Sequence, residues 1–344
     1  PLIWSMLTTS LATSTIITMA SHHWLLAWLG LELNTLSILP LIMKTHHPRA
    51  TEATTKYFII QTSAAAMILF ASTMNAWQTG HWSIINSPSH QTTLIATTAL
   101  LLKLGVAPIH LWYPEILQGT TMNIALIIAT WQKIAPLALL TLMHAHLPTT
   151  LIILTGLAST MVGGLTGLNQ TQTRKIIAFS SIAHMGWLLM TLMLNPQLTA
   201  LTLTIYIITT IATFTPLTTT TTKTITDTNT AWSSSPMLLT LTMLSLMSLG
   251  GLPPLTGFLP KLLILDGLIT KTLIPLGTTI ALTSLPSLFF YMRLAYFTML
   301  TNPPNNTNTK YNWRFKPHTQ NPLTTTTALT LLLLPMTPLL YLTT

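Results

Sequence analysis

The chain has 344 residues, of which 49% are hydrophobic and 6% charged, with a net charge of +9 and a mean hydropathy of +0.58. A soluble domain carries about 25% charged residues, so this chain cannot clothe a soluble surface, and its scattered basic residues exclude a nucleic-acid partner bound through a basic patch. It has no cysteine, which excludes disulfides, thiolate metal sites and iron–sulfur ligation in this chain, and no Gly-x-Gly-x-x-Gly or P-loop supports nucleotide binding.

Apolar runs of the length that crosses a ~30 Å hydrocarbon core as a helix recur throughout and predict an all-α polytopic membrane protein of about eleven spans. The first two lie near 2–20 and 24–43, and the second carries Glu32 close to its middle. A third lies near 55–76, and a fourth near 94–112 carries Lys103 at its centre. The fourth also contains Gly105 and Pro108 in the stretch KLGVAPIHLWYPE, residues 103–115, which predicts a break in the helix. The fifth, near 122–143, places Lys133 at its middle. Spans near 147–168, 176–194 and 198–217 follow, the seventh with His184 beside Ser180 and Ser181.

The ninth run, 237–269, is too long for one straight span and holds Gly250, Gly251, Pro253, Pro254, Gly257 and Pro260. Two helical pieces joined by non-helical backbone fit it better, and such backbone is tolerated in a membrane only where protein buries it or a wet cavity lines it. Spans near 274–298 and 324–342 complete the chain. Two low-complexity stretches, Thr218–Pro236 and Asn302–Pro322, read as surface connections. His144 and His146 form an H-x-H with no third ligand in sight, so no metal site is expected there.

The two breaks resemble each other. Leu-Gly-x-x-Pro occurs at Leu104–Pro108 and again 145 residues later (104 to 249) at Leu249–Pro253, five spans on. An odd number of spans inverts orientation. Residues 1–143 and 144–300 are therefore expected to form two inverted five-helix repeats, each with a broken helix, and 301–344 a loop and one C-terminal helix. Interrupted segments at matching places in two halves point to a transport pathway. Loops after even-numbered spans hold Lys44, Arg49, Lys56, Arg174, Lys175, Lys223, Lys310, Arg314 and Lys316, with Arg293 near the end of the tenth span, against Lys271 alone on the other side. The positive-inside rule puts the N-terminus and these loops inside and the C-terminus outside.

Glu32, Lys103, Lys133 and Lys261 are charges at membrane depth, each costing roughly 2.5–3.5 kcal/mol near a helix centre. Snorkelling explains Lys271 and Arg293 better than Lys103 or Lys133. Two readings stand. In one, Glu32 and a lysine form a buried ion pair that only locks helices. In the other, the four residues form a proton path, because burial disfavours a charged amine and a neighbouring carboxylate favours it. His110, at the first break, and His184 are secondary members of that path, or histidines hydrogen-bonded to backbone. Glu115 and Asp266, nearer span ends, read as solvated.

The stretch Pro108-x-His110-x-Trp112-x-Pro114-Glu115 resembles the P-x-H-x-W-x-P-[DE] signature of the antiporter-like subunits of respiratory complex I and of multisubunit cation/proton antiporters. Gly30–Asn34, His47–Ala53, Asn169–Lys175, Ala178–Gly186 and Gly250–Gly257 are similar to the vertebrate mitochondrial members of that family, and the resemblance runs nearly end to end. It implies that Glu32 matches the family's central acidic residue, Lys103 the lysine of the first broken helix, Lys133 that of the following helix and Lys261 that of the second broken helix. The chain resembles a form lacking three N-terminal helices of the fuller pattern. The resemblance implies a proton-translocating membrane-arm subunit of complex I, multi-pass in the mitochondrial inner membrane, with its N-terminus on the matrix side and its C-terminus on the intermembrane-space side. Its partners would be neighbouring membrane-arm subunits and lipids. The chain would hold no cofactor, and NADH, FMN, iron–sulfur clusters and ubiquinone would belong to other subunits. A cation/proton antiporter subunit and a purely structural scaffold are the alternatives.

Overall fold

The computed structural model describes residues 2–85, 89–231, 236–300 and 322–336. These residues are helical, with two isolated bridges and no strand among them. The chain divides into two compact units, Pro1–Ser159 and Thr160–Thr344, with the boundary inside a helix.

The first unit opens with α1 (Leu2–Ala20), α2 (Trp24–Met43) and α3 (Pro48–Thr79). Histidines start two of them: His23 Nδ1 accepts from Leu25 N–H at 3.2 Å and His47 Nδ1 from Arg49 N–H at 3.1 Å. With His47 as cap and Pro48 in its first turn, α3 begins seven residues before the expected span and runs for 32. At 1.5 Å per residue it is about 48 Å long, so its first turns, with Arg49, Glu52 and Lys56, reach past a ~30 Å core. The unit continues through α4 (His90–Leu104), α5 (Trp112–Gly119), α6 (Met122–Thr130), α7 (Ile134–Leu142) and most of α8 (Thr149–Gly167).

The second unit holds the end of α8, α9 (Thr173–Leu194), α10 (Pro196–Thr220), α11 (Ile225–Thr230), α12 (Pro236–Gly250), α13 (Phe258–Thr270), α14 (Ile274–Thr283), α15 (Leu285–Met299) and α16 (Pro322–Leu332). Eight helical segments among the described residues are long and apolar enough to cross a membrane. The other three expected spans are the two broken pairs, α4–α5 and α12–α13, and the segment begun by α16, whose residues 337–344 lie outside the described ones. Many spans are rich in threonine. The hydroxyls turn back onto carbonyls three or four residues earlier, as in Thr209 to Ile205 at 2.9 Å and Thr18 to Thr15 at 2.7 Å, which leaves methyl groups for the apolar surroundings.

The breaks repeat in detail, with a spacing that corrects the expected one. α4 closes at Leu104 and α12 at Gly250; seven non-helical residues follow each, and the helices restart at Trp112 and Phe258. Gly105 (φ 70°) and Gly251 (φ 79°) are the left-handed residues. Gly105 N–H donates to Leu102 O and Val106 N–H to Leu101 O; Gly251 N–H donates to Ser248 O and Leu252 N–H to Met247 O. Both are the same glycine stop, which satisfies orphan carbonyls with the turn's own N–H groups. The spacing is thus 146 residues (105 to 251), not 145. Gly105 corresponds to Gly251, Pro108 to Pro254, and Glu115 to Lys261. Matching Leu-Gly letters aligned Gly105 with Gly250, but Gly250 is still helical.

Two further departures have local causes. The fifth and tenth spans, expected to be continuous, are interrupted after nine and ten residues, at Trp131–Lys133 and Ser284. A proline, Pro136 or Pro286, follows each interruption in the first turn of the next helix, where its missing N–H costs no bond. The stretch Thr218–Pro236 is not a plain surface connection. α10 runs on to Thr220, and α11 follows with Thr224 and Asp227 as a capping box. Ile225, Thr228 and Asn229 of α11 are buried, and residues 232–235 lie outside the described ones. Apart from Pro322, which starts α16, the expected loop Asn302–Pro322 also lies outside them.

Candidate functional site

Two cavities follow the two breaks, one in each unit. The first is lined by Lys103 and Lys133 together with Asn34, Tyr57, Gln132 and Tyr113. The space open to the centre of a water-sized sphere is about 20 Å³, above the ~10–15 Å³ that one water needs. Lys103 stands on the last turn of α4, and its Nζ is buried with no hydrogen-bond partner. Lys133 ends the 3₁₀ turn between α6 and α7, with its Nζ 5.0 Å from the centre of the Tyr113 ring. The turn keeps Lys133 from being one more residue of a straight helix.

Glu32 of α2 is half-buried, and its Oε2 is fully buried without a hydrogen-bond partner. The carboxylate is within electrostatic reach of Lys103, yet neither group makes an ion pair. The contact ion pairs in this unit that involve glutamates join Lys56 to Glu52 and to Glu115, each at 2.6 Å, on the exposed side. Glu115, expected to be solvated, therefore fastens α5 to the start of α3.

The cavity has a polar wall that the sequence did not reveal. Asn34 Nδ2 donates to Gln132 Oε1 at 2.9 Å and Gln132 Nε2 donates back to Asn34 Oδ1 at 3.0 Å, while Tyr57 Oη donates to the same Oε1 at 3.4 Å. This amide pair ties α2 to the residue before Lys133. Its sequence signal was weak: two amides 98 positions apart.

The second cavity is lined by Lys261, His184, Trp187, Tyr206, Thr209 and Ser248, with about 30 Å³ open to water-sized centres. Lys261 stands on the first turn of α13 and reaches back across the break. Its Nζ donates to Gly250 O at 2.8 Å, and it lies 5.9 Å from the Trp187 ring centre. It thus serves the carbonyl end of α12, where the helix dipole favours a donor. His184 Nδ1 lies 2.8 Å from Ser180 O. His110 is buried at the first break, with Nδ1 3.2 Å from Pro108 O. The structure thus brings Lys103 and Lys133 into one cavity and Lys261 and His184 into another, and ties His110 to its own turn. Among the described residues no group of three or more His, Cys, Asp and Glu is placed to hold a metal.

Residues 21–286 match the family described as NADH:quinone oxidoreductase/Mrp antiporter, TM, and residues 288–341 match NADH dehydrogenase subunit 2 C-terminus. The NADH-ubiquinone oxidoreductase chain 2 of Carassius auratus is 52% identical over 339 residues, covering 98% of this chain and 97% of that one. The protein of the same description from Varanus melinus is 50% identical over 339 residues and 98% of each chain. The chain belongs to the NADH-ubiquinone oxidoreductase chain 2 family.

Its fold is that of the antiporter-like subunits. A chain of respiratory complex I from Thermus thermophilus, solved with bound aureothin, superposes with a TM-score of 0.86 at 23% identity, over 99% of this chain and 80% of that one. A chain of the Mrp complex from a Dietzia species gives a TM-score of 0.85 at 16% identity, over 98% and 76%. As a chain 2 family member the protein is an antiporter-like, multi-pass subunit of the complex I membrane arm, beside other subunits of that arm, in the mitochondrial inner membrane.

Proposed function

We propose that this subunit carries protons for NADH–ubiquinone oxidoreductase through Lys103 and Lys133 in one half and Lys261 and His184 in the other, with Glu32 biasing Lys103. The observation that carries the reading is the first cavity: two buried lysines share it, one amine has no hydrogen-bond partner, and there is room for water. A buried amine at membrane depth is costly, and its presence there points to function. Water can carry a proton between amines, and the charge on Glu32 biases whether Lys103 holds one. Electron transfer through NADH, FMN, iron–sulfur clusters and ubiquinone belongs to other subunits, so coupling must reach this chain as a change of charge or shape. The recurrence of the break at 146 residues supports two inverted repeats, 1–143 and 144–300, followed by 301–344. The basic loops support an N-terminus in the matrix and a C-terminus in the intermembrane space.

The ion-pair reading fits less well, because Glu32 and Lys103 are not in contact. The test is Lys103→Ala in the assembled complex. Quinone-linked turnover and proton uptake should fall, while reduction of an artificial acceptor at the flavin end continues. Lys103→Arg should not restore pumping, because a guanidinium does not cycle through a neutral form. Normal assembly and pumping in Lys103→Ala would remove Lys103 from the path. The Mrp-like fold makes a cation/proton antiporter the second reading, and turnover that depends on a particular cation would favour it.

A further inference from the structure

Trp112 opens α5 just past the first break, and its indole is fixed on three sides. A Cβ added to Gly105 would lie 3.1 Å from Trp112 Cζ2 and 3.5 Å from its Cε2. Cε2 is the carbon bonded to Nε1, so the N–H edge of the ring packs against the left-handed glycine two residues after Lys103. The ring also meets Tyr57 of α3 edge-on at 6.0 Å between centres, and Tyr113 at 5.7 Å. Both tyrosines lead to the other lysine: Tyr57 Oη donates to Gln132 Oε1 at 3.4 Å, and the Tyr113 ring centre is 5.0 Å from Lys133 Nζ. By its contacts the indole joins the arm that carries Lys103 to the turn that carries Lys133.

Trp112 lines the first cavity together with both lysines. Two buried nitrogens of that lining, Lys103 Nζ and Trp112 Nε1, have no hydrogen-bond partner among the described residues. A buried N–H in this state carries a desolvation penalty and calls for a reason. An indole N–H only donates, and so does a charged lysine amine. Whatever satisfies both must accept twice and fit about 20 Å³ open to water-sized centres. A water molecule does so, since its oxygen has two lone pairs and the space exceeds the ~10–15 Å³ that one water needs. The same wall offers an acceptor for a water proton: Asn34 Oδ1 takes one bond, from Gln132 Nε2 at 3.0 Å, and has a second lone pair.

We infer that Trp112 is a positioning residue of the first cavity: its N–H holds one lone pair of a water whose other lone pair receives Lys103, which leaves the water's own protons for Asn34 and Lys133. This rests on the reading of Lys103 and Lys133 as proton carriers. In the transfer the Lys103 ammonium gives a proton to the water oxygen as one of the water's protons leaves for the neutral amine of Lys133. One N–H and one O–H bond break, and one O–H and one N–H bond form. Lys103 ends neutral, Lys133 ends charged and the water is restored. The indole keeps its proton throughout, so Trp112 carries nothing; it holds the oxygen in place while the water turns to reset. A ring without the N–H would leave the water one bond short and free to turn away from the lysines.

The experiment has two arms. A map of the assembled complex fine enough to show waters should place an oxygen about 2.7–3.2 Å from both Trp112 Nε1 and Lys103 Nζ; an indole N–H that meets no water there would overturn the inference. The second arm compares Trp112→Phe, Trp112→His, Lys103→Ala and Lys103→Ala with Trp112→Phe in assembled complex. It reads NADH-driven quinone turnover, its solvent deuterium isotope effect, and artificial-acceptor reduction per flavin. Phenylalanine keeps a ring without the donor, and histidine keeps a donor on a smaller ring. Trp112→Phe is expected to slow quinone turnover about tenfold, below the 10²–10⁴ of a direct acid–base group, and to raise the isotope effect. Trp112→His should recover part of the loss although it fills less space, and Trp112→Phe should add nothing to Lys103→Ala, since both act on one step. Equal losses in the two Trp112 variants, or a further loss on top of Lys103→Ala, would show a packing role and overturn the positioning. Wild-type turnover in Trp112→Phe with Lys103→Ala impaired would overturn the inference alone. Wild-type turnover in Lys103→Ala would overturn the underlying path, and the inference with it. If neither Trp112 variant assembles, the map decides.

Discussion

Replacing Gly251 by alanine should damage the second break twice. The residue sits at φ 79°, and an L-residue forced into the left-handed region costs roughly 1–2 kcal/mol. The new Cβ would lie 2.9 Å from Lys261 Nζ and 3.0 Å from its Cδ and Cε, so the lysine must shift, and the prediction is that it gives up Gly250 O. That bond, 2.8 Å long, contributes roughly 1–3 kcal/mol. Gly80 is the control: its φ is 73° and a Cβ there meets nothing within 4 Å. Gly80→Ala should therefore cost the strain alone, and Gly251→Ala a further ~1–3 kcal/mol, or roughly 5- to 150-fold in an equilibrium or rate. The assay is the rate at which assembled complex loses quinone-linked turnover on heating. In a Lys261→Ala background the excess should vanish, leaving Gly251→Ala equal to Gly80→Ala. An excess that persists without Lys261, or no excess at all, would refute the reasoning.

Removing one member of the amide pair should hurt more than removing both: Asn34→Leu leaves Gln132 Nε2 without its acceptor and should cost about 1–3 kcal/mol, while Asn34→Leu with Gln132→Leu should recover part of it, read from the same heat-inactivation rates. Asp227 accepts from Thr224 N–H at 2.8 Å and Lys223 N–H at 3.1 Å; chiefly the Thr224 backbone bond holds its carboxyl below its ordinary value of 3.8. A depressed value stabilises above the unfolded value and is lost as pH falls through the folded one. Amide-exchange protection of α11 should therefore weaken below about pH 3.8, and Asp227→Asn should have the weaker protection at neutral pH while removing that dependence. A chain without cysteine takes single labels cleanly: cysteines in place of Lys223 and His81 should react from opposite faces of the membrane, and reaction from one face would refute the topology.

The spans were legible because length and apolarity are one-dimensional signals. α1 and α2 begin and end where the hydropathy does. The breaks were legible from glycine and proline, but their register was not, because adjacent glycines at 250 and 251 are distinguished only by which one turns left-handed. The turn carrying Lys133 was missed although Pro136 marked it, since the apolar run continues on both sides. Histidines 23 and 47 act as helix caps, a use their chemistry permits but their composition class does not advertise. The bond between Lys56 and Glu115 crosses 59 positions, and the ring contact of His184 with Tyr291 joins α9 to α15. Such meetings are fixed by packing, to which no local pattern refers.

The corrected register puts Glu115 where the other half has Lys261, and Leu249 where this half has Lys103. The backbone punctuation is therefore shared while the amine has changed arms, from the helix before the gap to the helix after it. In the first unit the lysine stands on the segment that ends at the gap; in the second it stands on the segment that begins there and latches back. A hinge motion of the same form would swing the free amine in the first case and pull at a fastened one in the second. On the proposed path, two breaks of one make would thus serve as different devices, one a lever and one a catch.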